Sequence, residues 1–118
     1  MRKLKLNRQK NFLGAALKLK IFIEDSNGKH KINNIACTLL GVLKNGQTGN
    51  YSIPTESKMI LLSASMIFTQ KRAFIYQVPE GDDIELFTAP TGDMQIPENR
   101  FGVWSWEEIE KLGLSDKW

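Results

Sequence analysis

Turn-forming clusters punctuate this chain from end to end, and the segments between them alternate at period two rather than at the period of a helix. The clusters stand at 7–11, 25–28, 45–46, 54–57, 79–83 and 90–93; each is rich in Asn, Asp, Gly, Pro or Ser, the residues that turn geometry favours. The clearest segment between them is Ala15-Ala-Leu-Lys-Leu-Lys-Ile-Phe-Ile-Glu24. Leu17, Leu19, Ile21 and Ile23 share one face of it, and Lys18, Lys20, Phe22 and Glu24 share the other, as expected of an antiparallel strand with one solvated side. Further strands are predicted at 3–6, 35–43, 47–53, 59–68, 72–78 and 84–89, with 30–34 a loop or ragged edge and 94–103 a loop holding at most a short pairing segment. Such a series predicts a mainly β fold: a single antiparallel β-sandwich or partly open barrel. With 118 residues, 42% of them hydrophobic and 25% charged, the chain has the material for one domain and one core, without disulfides.

Asn45-Gly46 tolerates the positive φ values of a tight turn, and β-leaning runs flank it, so a hairpin is expected between 35–43 and 47–53. Two registers are open. A two-residue type I′ loop pairs Lys44 with Gln47 and sets Leu40 and Val42 beside Tyr51 and Ile53. A G1 bulge at Gly46 pairs Leu43 with Gln47 and brings Cys37, Leu39 and Leu43 to that face instead. The second is preferred.

One short helix is predicted, at about 105–112. Ser105 suits its N-cap, with Glu108 at N3 completing a capping box and Trp104 stapled onto Ile109. Gly113 then fits the left-handed C′ position. A helix of about two turns is unstable alone in water, so Trp104, Ile109 and Leu112 are expected to pack it onto the sheets.

The residues Arg8-Gln-Lys-Asn-Phe-Leu-Gly-Ala-Ala16, the Lys-rich strand ending near Asp25 and Gly28, then Gly41-Val-Leu-Lys-Asn-Gly46 and Tyr51-Ser-Ile-Pro54 resemble small bacterial β-sandwich domains of PEGA-like character. The match covers the first half of the chain. It departs in the stretched Asp25-Ser-Asn-Gly28 turn, in added residues before Gly41, and in Pro54-Thr-Glu-Ser-Lys58, which lacks the family's Gly and His. The resemblance implies a sandwich, a non-catalytic module and no active site.

The residues themselves offer little for catalysis. One His and one Cys cannot assemble a transition-metal site, and no nucleophile elbow, phosphate-binding loop or dinucleotide fingerprint is present. Glu80, Asp82, Asp83 and Glu85 read as a solvated turn rather than a calcium loop. Neither an enzyme nor a cofactor is expected. Cys37 is expected to be a buried, inert thiol, and His30 a surface residue. No apolar stretch follows Met1-Arg-Lys-Leu-Lys-Leu6, and no run approaches the roughly 18 apolar residues of a membrane span, so a cytoplasmic location is expected.

Charge divides the chain. Residues 1–31 hold nine Lys/Arg against two acidic residues, whereas 78–118 hold three Lys/Arg against ten acidic ones. Attraction between neighbouring strands inside one fold accounts for this, and so does head-to-tail self-association. Basic Arg2, Lys3, Lys5, Arg8, Lys10, Lys18 and Lys20 with Phe12 and Phe22 give single-stranded nucleic acid a motive, which the acidic second half opposes. The candidate partner-binding residues are Trp104, Trp106 and Trp118, able to stack on a sugar or dock a partner, and Lys18, Lys20 and Phe22. The resulting expectation is a non-catalytic interaction or structural module with an unidentified protein partner or a second copy of itself. The alternative is a ligand-binding β domain for a carbohydrate or single-stranded nucleic acid.

Overall fold

The computed structural model describes residues 1–10, 18–63, 73–90 and 101–118. Among the described residues nine strands make two packed sheets: β1 (Arg2–Arg8), β2 (Leu19–Glu24), β3 (His30–Ile32), β4 (Ile35–Leu43), β5 (Thr48–Ile53), β6 (Lys58–Ser63), β7 (Phe74–Val78), β8 (Ile84–Pro90) and β9 (Phe101–Trp104). A helix, α1 (Trp106–Lys111), and a 3-10 turn (Ser115–Lys117) follow. The four-stranded sheet has the order β5-β1-β8-β9 and the five-stranded sheet β3-β4-β2-β6-β7. The mainly β sandwich with a short C-terminal helix is therefore the architecture observed. Its pairings are antiparallel except for one, β1 beside β8, which run parallel.

The expected hairpin at Asn45-Gly46 is not one. β4 lies in the five-stranded sheet and β5 in the four-stranded sheet, so the turn carries the chain across the sandwich and neither proposed register exists. The turn itself is tight: the Gln47 amide donates to the Lys44 carbonyl at 3.0 Å, and Gly46 has a φ of 75°, as a type II turn requires at its third residue. Gly41 and Gly49 serve a different purpose. A Cβ on Gly49 would lie 2.2 Å from the Tyr51 hydroxyl oxygen, and one on Gly41 2.8 Å from the same ring, so both glycines make room for Tyr51 as its ring packs against the core.

Leu4 and Leu6 of β1, Leu19, Ile21 and Ile23 of β2, Leu43, Ile53, Ile60, Leu62, Val78, Leu86, Phe101 and Val103 fill the space between the sheets. The inward row of β1 begins and ends with arginines. Arg2 and Arg8 share the buried side with Leu4 and Leu6, contrary to their reading as part of a basic surface. A guanidinium remains inside only if its donors find acceptors. Arg2 Nε donates to the Pro54 carbonyl at 2.9 Å, Nη2 to the Glu56 carbonyl at 3.2 Å and Nη1 to the Asp82 carbonyl at 3.4 Å. At the other end Arg8 donates to the Leu43 carbonyl and stands 4.8 Å over the Phe101 ring.

A second, smaller core occupies the outer side of the five-stranded sheet. Phe22, Ile32, Cys37 and Leu61 are buried there, so the face of β2 expected to be solvated is covered at Phe22, while Lys20 on the same face is exposed. The sheet curls to do this: β3 and β7 are its opposite edges, yet the Asn33 side-chain amide comes within 3.5 Å of the Ala73 carbonyl. His30, expected in a loop or ragged edge, belongs to β3 and packs edge-on against Phe22 with ring centroids 5.2 Å apart. Phe12, residues 15–17, 64–68 and 72 of the predicted strands, and residues 94–100 of the predicted loop lie outside the described residues.

The helix begins as its sequence dictates. The Glu108 amide donates to the Ser105 hydroxyl at 3.2 Å, and the Ser105 amide to Glu108 Oε1 at 3.0 Å. It ends in a Schellman arrangement, with Gly113 at a φ of 70° and the Leu114 amide donating to the Ile109 carbonyl. Of the expected docking side chains only Ile109 is fully buried; Trp104 is half-buried and Leu112 exposed. Leu112 is the C-cap, at the open end of the helix, and its side chain stays in solvent although it stands three residues beyond Ile109.

Glu108 links this cap to the sandwich, because its Oε1 also accepts from the Tyr76 hydroxyl at 3.2 Å. The Ser105 amide is the main cause of a Glu108 pKa below its ordinary value of 4.5, and the Ser105 and Tyr76 hydroxyls add to it. A carboxylate depressed in the folded state stabilises above its unfolded pKa and stops doing so as pH falls through the folded one. Melting temperature is thus expected to fall less steeply on acidification in Glu108→Gln than in wild type. Glutamine keeps the capping acceptor without the titration; parallel acid-side melting curves would refute the assignment.

Candidate functional site

Strand parity places Glu85 and Phe87 on the outer face of the four-stranded sheet, because Leu86 and Thr88 are buried on the inner one. Register then fixes their neighbours. Asn7 stands opposite Thr48 on one side and Phe87 on the other, and Phe87 stands opposite Trp104. The next row is Asn50, Lys5 and Glu85. The face is therefore polar over β5 and β1 and aromatic over β8 and β9.

Phe87 is the centre of the aromatic part. Trp106 of α1 leans on it at 5.3 Å between ring centroids, and Trp118 meets it edge-on at 5.5 Å. Tilted and edge-to-face arrangements are the favoured ones for such rings. Trp106 keeps 39% of its surface exposed, while Phe87, Trp104 and Trp118 are half-buried. The three tryptophans singled out in the sequence thus share one surface, held there by β9 and by the capped helix that follows it.

The polar part is organised by hydrogen bonds across three strands. The Thr48 hydroxyl donates to Asn7 Oδ1 at 3.0 Å, Asn7 Nδ2 donates to Glu85 Oε2 at 2.9 Å, and Lys5 Nζ lies 3.5 Å from the same carboxylate oxygen. The Lys3 amide donates to Asp83 Oδ1 at 2.8 Å. Basic β1 is thus matched to the acidic end of β8, and the opposite charges of the two halves of the chain meet inside one fold.

Lys18, Lys20 and Phe22 do not join this surface. Lys20 sits on the outer face of the other sheet, opposite Val42 and Ser63, Lys18 is exposed just before β2, and Phe22 is buried. With Arg2 and Arg8 inside as well, the basic residues of the first half form no continuous groove. Phe87, by contrast, is a residue that sequence reasoning missed; its alternation with Glu85 in Ile84-Glu-Leu-Phe-Thr-Ala89 was the available signal.

Register also sets His30 opposite Cys37. Cys37 is fully buried, and burial raises its thiol pKa, the reverse of what a nucleophile or metal ligand needs. Among the described residues no group of three or more His, Cys, Asp or Glu side chains could hold a metal ion, and no helix is long and apolar enough to cross a membrane. No protein-family model matches the chain, and no curated protein matches it.

Proposed function

We propose that this chain is a non-catalytic interaction module that makes contact through the outer face of its four-stranded sheet. The observation that carries the reading is the continuity of Phe87, Trp104, Trp106 and Trp118 with the hydrogen-bonded row of Thr48, Asn7, Glu85 and Lys5. Ile109 is the helix's fully buried anchor; half-exposed tryptophans add amphipathic contact area that interfaces favour. The PEGA-like resemblance of the first half implies the same non-catalytic role.

The charge balance of that face favours a second reading, an uncharged carbohydrate ligand. Lys5 is neutralised by Glu85, and Asp83 and Glu85 would repel a phosphate backbone. Sugars instead use amide and carboxylate hydrogen bonds beside an aromatic platform. Tryptophan fluorescence titrations with neutral oligosaccharides and with single-stranded DNA at two salt concentrations test it, on wild type and Trp106→Ala. Quenching by sugar that is insensitive to salt and lost in Trp106→Ala is expected. Silence in every arm removes the carbohydrate reading, and a partner held equally by wild type and Trp106→Ala removes the surface assignment itself.

A further inference from the structure

An exposed sheet edge offers unpaired backbone donors and acceptors to any passing strand, and folded proteins defend such edges with charge, proline, bulges or brevity. The described strands leave the sandwich with four edges. β3 is three residues long and contains His30 and Lys31, and β9 is four residues long and runs straight into the helix cap. β7 lies beside β9, with Tyr76 tied to Glu108 of α1. β5 adjoins β4 of the other sheet, to which the Lys44–Gln47 turn joins it, but it has none of the devices of charge, proline, bulge or brevity. Its six residues, Thr48-Gly-Asn-Tyr-Ser-Ile53, carry no charge and no proline, and they pair with β1 without a register shift.

The atoms on its free side can be identified. The Arg8 amide donates to the Gln47 carbonyl at 2.9 Å, which makes Arg8 and Gln47 a hydrogen-bonded pair in the antiparallel ladder. Alternation along the ladder then gives Leu6 with Gly49 and Leu4 with Tyr51 as further hydrogen-bonded pairs. The N–H and C=O groups of Thr48, Asn50 and Ser52 therefore point away from β1. All three residues are exposed, and no described strand pairs with that side.

We propose that this edge pairs with the same edge of a second copy, making an antiparallel β5–β5 dimer with Asn50 on the two-fold axis. Only a pairing that sets these outward groups against each other satisfies them, and a two-fold centred on Asn50 does so. Asn50 then faces Asn50 of the second copy and Thr48 faces Ser52, for about six new backbone hydrogen bonds. No like charges are opposed, since every side chain in the pairing is neutral. The largest inward residue, Tyr51, falls opposite the smallest, Gly49. The two four-stranded sheets become one of eight, and the polar rows of both copies join.

Asn50 is the position to change, because its N–H plays no part in the β1 ladder. Asn50→Pro removes the central donor, a substitution edge strands accept where the donor faces solvent. Asn50→Lys sets two positive charges across the axis. Sedimentation velocity over a concentration series is expected to show wild type rising to twice the monomer mass. Both variants should give the wild-type far-ultraviolet circular dichroism, with Asn50→Pro monomeric and Asn50→Lys associating on the order of tenfold or more weakly. In a Cys37→Ser background, Asn50→Cys should oxidise to a disulfide-linked dimer, since the facing Cα atoms of a hydrogen-bonded pair lie about 5.5 Å apart, within disulfide reach. A wild type that stays monomeric at every concentration overturns the proposal, including one whose edge takes up another protein's extended segment. So does a dimer that persists unchanged in Asn50→Pro and Asn50→Lys.

Discussion

Ile109→Ala is expected to lower the free energy of unfolding by about 2–5 kcal/mol, the range for truncating a fully buried large aliphatic side chain. Ile109 is 0% exposed, whereas Leu112, three residues on, is 58% exposed. Leu112→Ala should accordingly change stability by no more than about 0.5 kcal/mol. The contrast matters more than either value. If the helix were held by a broad apolar stripe, both substitutions would be felt; if it rests on one anchor, only the first will be. Urea unfolding decides the matter, with a lower midpoint and an unchanged slope for Ile109→Ala. Equal effects would mean that the helix docks in some other way.

Gly28→Ala is expected to be comparably damaging for a different reason, at about 3 kcal/mol, the upper part of the usual range for overpacking. A Cβ there would lie 2.3 Å from the Cys37 carbonyl oxygen and 2.4 Å from its carbon. These are backbone atoms in β4, which is held between β3 and β2, so no side chain can swing aside. The turn cannot withdraw freely either, because the Asp25 amide is bonded to the Ala36 carbonyl and the Thr38 hydroxyl donates to Asp25 Oδ2 at 2.7 Å. Gly113→Ala is the comparison: its φ of 70° is strained for alanine, but nothing lies within 4 Å of the added carbon, and a loss of about 1 kcal/mol is expected. Thermal melts of the two variants should rank in that order; a Gly28→Ala protein as stable as wild type would rule out the close approach.

Local chemistry was legible where it is self-contained. Ser105 and Glu108 announce a capping box because both partners lie within one turn, and Gly113 announces the end of the helix in the same way. The alternation of Leu19, Ile21 and Ile23 identifies β2 and its core face. Asn45-Gly46 shows the limit: a tight turn fixes four residues, and nothing within those four says whether the arms beyond will share a sheet. The expectation for Arg2 and Arg8 failed because charge was taken to mean exposure, although the period-two series Arg2, Leu4, Leu6, Arg8 was present to be read. Phe22 was placed on a solvated face because curling of a sheet is a property of several strands at once. For the proposed contact surface, the tryptophans were visible as a cluster, but Phe87 and Asn7 join them only through the registers of β8 with β1 and β9, pairings between distant parts of the chain.

The place of β1, between β5 and β8, also governs the order in which the molecule can be completed. Its pairing with β8 joins residues about 80 apart in sequence, as between Lys3 and Asp83, and long loops must close before such contacts repay the entropy lost. All strands of the five-stranded sheet precede residue 79, so that sheet can assemble without waiting for the contact between β1 and β8. β1, with two leucines and two arginines on its inward side, gains its second neighbour only when β8 pairs with it. Until then its edge toward β8 is unpaired, and partly folded chains at high concentration are most prone to associate through that edge.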